Sequence, residues 1–336
     1  MRRLEQAAWI ALAALGIALP MACGSRTGLP DRASADASTG QDAGFDHSVP
    51  PVDASEDQDA ADADDGDGNV VFKDVKFDGL APCDPNALFV YLVTEESTLY
   101  RYDPSKGTLF NVGKLDCPTN GSPFSMGVSR SGIAYILHRP LSPTGSNPPG
   151  QLYAASVETA ACVATEFVPG QQGFGLFGMG FALDDDGMGE TLYVAAGSQP
   201  ANQVNGLGSI DLTTYGLDFV GPFIAAPGDR MELTSSDDGS LYGYFVDSNS
   251  TGGGSVVSID KHTGAILDVV PVSVQGDASA FAFAYWGGDF YIFTAPLNGK
   301  TTITRYRPTD GTLKVVGSVP QAVVGAGVST CTPSKS

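Results

Sequence analysis

Three charged residues stand together in a segment whose counterparts elsewhere in the chain are apolar. Asp229, Arg230 and Glu232 lie at or beside a short strand-like run, and the related runs carry mainly Gly, Ala, Phe and Met. A carboxylate accepts hydrogen bonds and a guanidinium donates them in a planar fork, so this group could contact a small polar ligand. An internal pairing of Arg230 with Glu232 is the competing interpretation.

A second acidic run could hold a cation. The segment Asp184-Asp-Asp-Gly-Met-Gly-Glu190 offers the oxygen ligands that calcium prefers. The equivalent segment one repeat later, Asp237-Asp-Gly239, has the composition of a polar hairpin turn, which favours a turn in both places. Calcium is therefore the less favoured interpretation, and we predict no cofactor.

The remaining residues predict neither a catalytic centre nor a metal site. His138 and His262 have no partner at a zinc-binding spacing, and we interpret both as structural or solvated. The run Gly173–Gly178 has the letters of a dinucleotide-binding loop, but it leads into a predicted strand instead of a helix. The pattern therefore leans against an enzyme.

The elements that position these residues recur with a period near fifty. Met126, Met179 and Met231 are spaced by 53 and 52 residues, and Phe281 and Ala326 continue the series at 50 and 45. Each lies in a Gly- and Ala-rich apolar run, which a turn glycine and a Tyr-rich strand then follow. A supersecondary unit that recurs at this period is typical of a β-propeller.

The two ends of the series complement each other. The run Leu88–Val93 resembles the second strand of a blade, but no first strand precedes it in the sequence. The run Val323–Ser329 resembles the first strand of a blade, but no second strand follows it. Pairing these runs completes a fifth blade and closes the ring, which removes exposed sheet edges. We therefore predict an all-β fold, a single five-bladed β-propeller over residues 81–336.

The cysteines fit this closure. In the blade formed by the two chain ends, Cys331 ends the first strand and Cys83 precedes the second strand. The two cysteines should therefore lie close together, which predicts a disulfide between them. Cys117 and Cys162 remain near the fourth strands of the first two blades, and we predict that they form a second pair. An oxidising compartment permits both bonds, whereas free buried thiols are the alternative.

Two sets of loops are candidates for binding. Loops before the first strands, such as Thr119–Pro123 and Ala225–Asp229, are expected to form one face of the ring. Longer insertions between second and third strands, such as Arg139–Gly150 and Ser198–Gly206, are expected to form the opposite face.

The first 80 residues predict export and a spacer. Residues 1–22 join a basic start to a 16-residue apolar stretch, Ala7 to Ala22, which is too short to span a bilayer and is typical of a cleaved signal. Residues 23–80 contain 14 acidic and 4 basic residues, a composition that predicts a disordered acidic tether. A calcium-binding tail is the alternative for the Asp-rich part.

Charge narrows the choice of partners. The chain carries a net charge of −20, and no segment has the clustered Lys and Arg that nucleic-acid binding needs. Residues 81–336 alone hold 12 basic and 23 acidic residues, so we expect no nucleic-acid partner.

The end of the predicted signal, Leu19-Pro-Met-Ala-Cys23, resembles the lipobox of bacterial lipoproteins. This resemblance implies lipidation of Cys23, and the Gly24 that follows it favours the outer membrane. Secretion with a free Cys23 is the alternative. Longer strings are similar to a group of bacterial lipoproteins with a propeller body: Cys23–Leu29, Pro123–Gly127, Phe177–Phe181, Glu232–Thr234, Phe283–Phe293 and Val324–Pro333. That resemblance implies membership of the family, and it does not indicate which activity the protein has.

Together these features predict a non-catalytic binding or scaffold propeller of the bacterial cell envelope, tethered to a membrane by its N-terminal lipid. A glycan, a peptide or an envelope protein is the expected partner. One alternative is a lactonase-like hydrolase or lyase that uses a cation in the central funnel. Another is a purely structural envelope component.

Overall fold

The computed structural model describes residues 82–142, 147–198, 203–248, 253–274, 279–296 and 298–333. The predicted signal, the acidic tether and Cys23 lie outside the described residues. Two short 3₁₀ turns, Pro85–Leu88 and Gln171–Gly173, are the helical segments of the described part. Within these ranges no helix has the length and apolar character needed to cross a membrane.

Twenty β-strands form five antiparallel four-stranded sheets, one for each predicted blade. From the inner to the outer strand, blade one contains β20 (Val323–Gly327), β1 (Val90–Thr94), β2 (Thr98–Asp103) and β3 (Thr108–Lys114); blade two contains β4 (Ser122–Val128), β5 (Ile133–Arg139), β6 (Gln151–Ser156) and β7 (Cys162–Ala164); blade three contains β8 (Gly178–Leu183), β9 (Glu190–Ala196), β10 (Gly206–Asp211) and β11 (Gly216–Pro222); blade four contains β12 (Arg230–Ser235), β13 (Leu241–Val246), β14 (Gly254–Ile259) and β15 (Ile266–Val272); and blade five contains β16 (Ala280–Trp286), β17 (Asp289–Ala295), β18 (Thr301–Arg307) and β19 (Thr312–Val319).

Burial follows the position of a strand within its blade. Every residue of β17 is buried, because a second strand is covered by the neighbouring blades on both faces of its sheet. The outer strand β19 exposes most of its residues instead. This difference explains why the second strands read as continuous apolar and aromatic runs, whereas the fourth strands mix polar and apolar residues.

The five inner strands pack side by side around the central axis. Each of β20, β4, β8, β12 and β16 contacts the inner strands of its two neighbouring blades, so the ring is closed. Glycines allow this approach: a Cβ on Gly178 would lie 2.2 Å from the carbonyl oxygen of Met231, and one on Gly180 would lie 2.9 Å from that of Leu233. Substitution at either glycine would therefore force two blades apart.

The predicted closure is confirmed. Strand β20 pairs antiparallel with β1, with Ala326 opposite Leu92. A disulfide joins Cys83 to Cys331 with their Cα atoms 5.8 Å apart. The hydroxyl of Ser329 also donates to the carbonyl oxygen of Ala87 at 2.6 Å. Both ends of the propeller are therefore held in one blade.

The second predicted disulfide is also present. Cys117 and Cys162 are bonded, with a Cα–Cα distance of 4.6 Å. Cys162 begins β7, and its N–H donates to the Asp116 carboxylate at 2.6 Å. This bond ties the segment after β3 to the outer strand of blade two, which has only three residues.

The expectation that the two sets of loops lie on opposite faces is wrong. Ser122, which begins β4, is paired with Arg139, which ends β5. The N–H of Gly150 donates to the carbonyl oxygen of Gly175 at 2.8 Å, so an insertion contacts a loop that precedes a first strand. Antiparallel pairing is the cause, because a second strand must end beside the start of the first.

Candidate functional site

A cavity of about 340 Å³ opens on the ring face where the first strands begin. Its wall is formed by the start of all five inner strands, together with the ends of β5 and β9. We call this end of the channel the funnel mouth. Both loop sets described above meet here, which makes this face the richest in side chains that could select a ligand.

Glu232 lies in the wall of this cavity and is only 3% exposed. It is on β12, and its Oε2 accepts a hydrogen bond of 2.6 Å from the hydroxyl of Ser125 on β4. The backbone N–H of Met179 on β8 donates to the Ser125 hydroxyl at 3.1 Å and also acts on the Glu232 carboxyl group, whose pKa it lowers. Burial raises the pKa of Glu232 well above its usual range, because desolvation disfavours the charged form. One side chain therefore ties three blades together at the cavity.

Two guanidinium groups form the walls above Glu232, and each lies over a phenyl ring. The Cζ of Arg230 is 5.2 Å from the ring centroid of Phe281, and its Nη1 donates to the carbonyl oxygen of Ser279 at 3.4 Å. The Cζ of Arg139 is 5.0 Å from the ring centroid of Phe124. These cation–π contacts orient both cations in the cavity wall.

The structure brings together two of the three predicted ligand contacts. Arg230 and Glu232 both line the cavity, but the salt bridges of the described residues do not include an ion pair between them. Asp229 is not part of the wall. Its Oδ1 accepts hydrogen bonds from the backbone N–H and the hydroxyl of Ser248, at 2.9 and 2.8 Å. Asp229 therefore holds a loop in place beside the site.

Sequence reasoning missed Arg139, Phe124 and Ser125. Arg139 could have been found from the antiparallel register, because the last residue of a second strand lies next to the first residue of its partner. The contact of Ser125 with Glu232 spans 107 positions and three blades, and no local pattern indicates it.

His138 and His262 do not lie in the cavity wall. His138 is buried against Tyr153, with ring centroids 4.8 Å apart, and burial lowers the pKa of its imidazole to about 4. His262 lies in the turn after β14, where its Nε2 is 2.9 Å from an Asp185 oxygen. The structure thus gives both rings packing or surface partners within the propeller.

The acidic run from Asp184 to Glu190 divides its carboxylates among different partners. Asp184 accepts from the hydroxyl of Thr191 at 2.7 Å, and Asp185 pairs with Lys261 of the next blade at 2.8 Å. These contacts match the predicted hairpin. Across the described ranges, no three His, Cys, Asp or Glu side chains group in a way that could hold a metal ion. The cation-dependent hydrolase stays a prediction, and elemental analysis of the purified protein for bound calcium tests it.

The opposite end of the channel, which we call the closure mouth, contains a second carboxyl group, that of the partly buried Glu190. Glu190 begins β9, and its Oε1 and Oε2 accept hydrogen bonds from the backbone N–H of Arg130 at 2.7 Å and the hydroxyl of Thr330 at 2.8 Å. Arg130 donates through Nη1 to Thr330 at 3.0 Å and through Nη2 to the Cys83 sulfur at 3.1 Å. Burial raises the pKa of Glu190 to about 7.

Comparison with known proteins does not assign a family. No family model matches the chain, and no curated protein sequence matches it. Among solved structures, the chain is similar to hydrazine synthase from Kuenenia stuttgartiensis, at 14% identity and a TM-score of 0.39 over 74% of this chain and 69% of that one. It is also similar to an α-L-arabinofuranosidase from Clostridium thermocellum, at 14% identity and a TM-score of 0.41 over 67% and 83%. At these values no functional inference follows from either likeness.

Proposed function

We propose that this chain is a ligand-binding propeller of the bacterial cell envelope, and that the funnel cavity is its binding site. The single observation that carries the proposal is the cavity of about 340 Å³ at the funnel mouth, with a buried carboxyl group and two oriented guanidinium groups in its wall. A volume at the lower end of the usual range for ligand pockets suits a small molecule.

The polar groups of the wall support binding over a purely structural role. A buried carboxyl group is costly unless something compensates for its desolvation, and a scaffold would be more stable with an apolar residue at position 232. Glu232 is not a member of the salt bridges that the structure gives for the described residues. Because Glu232 and Arg139 both line the cavity, a ligand bound there would meet both groups.

Variants that fill the cavity test the proposal. Ser122 and Ser279 line the cavity from different blades, so Ser122→Trp and Ser279→Trp each occupy it with an indole ring. Ser318→Trp is the matched control, because Ser318 is exposed on the outer strand β19. Ligand-observed NMR against a set of monosaccharides, organic acids, amino acids and dipeptides is the measurement.

We expect at least one compound to bind the unmodified protein and the Ser318→Trp control but neither cavity-filling variant. Binding that persists in both cavity-filling variants, or no binding of any compound to the unmodified protein, would contradict the proposal. Thermal unfolding of every variant separates a filled cavity from a failure to fold.

The location in the envelope is part of the same proposal, and its support is the sequence around Cys23. Lipidation would place the propeller at a membrane without a spanning helix. Metabolic labelling with a fatty acid analogue should mark the full chain and not Cys23→Ser, and the variant should leave the membrane fraction. Equal labelling of both proteins would contradict the anchor.

A further inference from the structure

The guanidinium of Arg139 in the cavity wall indicates which chemical class of ligand the cavity would bind. The salt bridges of the described residues do not include the Arg139 side chain. The Glu95 carboxylate of the same wall acts on it electrostatically and raises its pKa, against the lowering by burial. The contact with Phe124 places the Arg139 Cζ 5.0 Å from the ring centroid, and a guanidinium carries five N–H donors in a planar fork. A planar fork of this kind matches a carboxylate, which it can bind through two parallel hydrogen bonds.

Glu232 supplies a second and different contact. A carboxyl group has about four acceptor positions, and Ser125 and Met179 occupy two of them. Glu232 also lines the cavity, so a ligand there would lie beside this residue. A ligand hydroxyl suits this position, because it can donate to a carboxylate and can equally accept from a carboxylic acid.

The charges that face the cavity favour an anion. Arg139 and Arg230 are cations, and Glu95 and Glu232 are the acids of the wall. The two cations therefore balance the two acids of the wall, and burial raises the pKa of Glu232, which disfavours its charged form. The cavity wall is thus much less acidic than the propeller as a whole, in which 23 acidic residues face 12 basic ones.

On the premise that the funnel cavity is the binding site, we propose that its ligand is a small hydroxy carboxylic acid of monosaccharide size, with its carboxylate on Arg139 and a hydroxyl on Glu232. The volume of about 340 Å³ leaves room for one such molecule and not for a folded partner.

Three probes separate the two contacts. Glucuronate carries both a carboxylate and hydroxyls, glucose carries hydroxyls alone, and acetate carries a carboxylate alone. Isothermal titration should show glucuronate binding at least about tenfold more tightly than either of the others, because each lacks one of the two contacts.

Arg139→Met tests the carboxylate contact, and Arg101→Met is its matched control. Arg101 lies over the rings of Phe89 and Phe110 at 4.7 and 5.0 Å, in the same kind of cation–π contact, but it is not part of the cavity wall. We expect Arg139→Met to weaken glucuronate binding about tenfold or more. Arg139→Lys should lose part of the affinity, and Arg101→Met should lose none.

The outcomes distinguish this inference from the proposed function. If glucose binds as tightly as glucuronate and both cavity-filling variants abolish binding, the funnel cavity is the binding site, but the proposal that its ligand is a carboxylic acid is wrong. Glucuronate affinity that is unchanged in a folded Arg139→Met overturns the carboxylate contact. Glucuronate binding that survives both cavity-filling variants overturns the site and the inference together. If none of the three probes binds, the inference is wrong, and the wider ligand set decides the proposed function separately.

Discussion

The two mouths of the central channel each contain a glutamate that ties three blades together, yet Glu232 is buried, Glu190 is partly exposed, and the surroundings of the two carboxyl groups differ. At the closure mouth, both oxygens of Glu190 accept hydrogen bonds from the protein, and the Arg130 side chain donates to the Thr330 hydroxyl that binds one of them. At the funnel mouth, Glu232 faces a cavity, and the guanidinium groups stand above it in the wall.

This difference shows that burial of an acid does not by itself indicate a functional site. Glu190 completes a hydrogen-bond network beside the Cys83–Cys331 disulfide, so its carboxyl group links the elements that meet at the junction of the chain ends. Glu232 accepts from Ser125 and also lines the cavity. The useful criterion is whether the hydrogen-bonding capacity of a buried group is already satisfied by the protein.

The largest expected loss of stability comes from removing the disulfide at the closure mouth. Cys83→Ser combined with Cys331→Ser removes a crosslink between residues 248 positions apart, whereas Cys117→Ser combined with Cys162→Ser removes one that spans 45. Chain entropy gives losses of about 5 and about 4 kcal/mol in the free energy of unfolding. Urea unfolding of both double variants checks the order, and a larger loss for the 117–162 pair would contradict it.

The next effect concerns Glu232. A pKa raised in the folded state means that the stabilising effect is complete below the ordinary value of 4.5 and is lost as pH rises. Glu232→Gln should therefore match the unmodified protein in acid and exceed its stability at pH 8. We expect a larger change than for Glu190, because Glu232 is more deeply buried. Identical pH profiles for Glu232→Gln and the unmodified protein would rule out this explanation.

Glu190 should show the same sign over a defined window. Its pKa rises from 4.5 to about 7, so the stability it contributes is present below pH 4.5 and is lost as pH rises through 7. The corresponding change in the free energy of unfolding is at most about 3 kcal/mol. Subtracting the profile of Glu190→Gln from that of the unmodified protein isolates this change. A difference that stays flat from pH 4 to pH 8 would be the contrary result.

The smallest effect compares the two hydroxyl donors. Ser125→Ala removes the donor to Glu232 and the acceptor of the Met179 N–H, while Thr330→Val removes the donor to Glu190. We expect losses of about 2 and about 1 kcal/mol, because Glu232 is only 3% exposed, whereas Glu190 is partly exposed and keeps the N–H of Arg130. Urea midpoints measure both, and a greater cost for Thr330→Val would reverse the comparison.

Much of the fold could be predicted because its signals are local or periodic. The repeated position of Met126, Met179 and Met231 reflects a constraint that recurs in every blade, namely an inner strand packed between two others. The closure and the Cys83–Cys331 bond followed from counting strands, because a ring leaves its terminal strands one possible partner.

The sequence by itself determined the number of blades, the closure and both disulfides, since periodicity and strand order are properties of the chain. Tertiary structure alone decided which side chains meet in the funnel mouth. Arg139 reaches the cavity because antiparallel pairing returns a second strand to the start of the first. Ser125 reaches Glu232 because the ring brings three inner strands around one axis. Such convergence depends on distances across the ring, and spacing along the chain does not encode them.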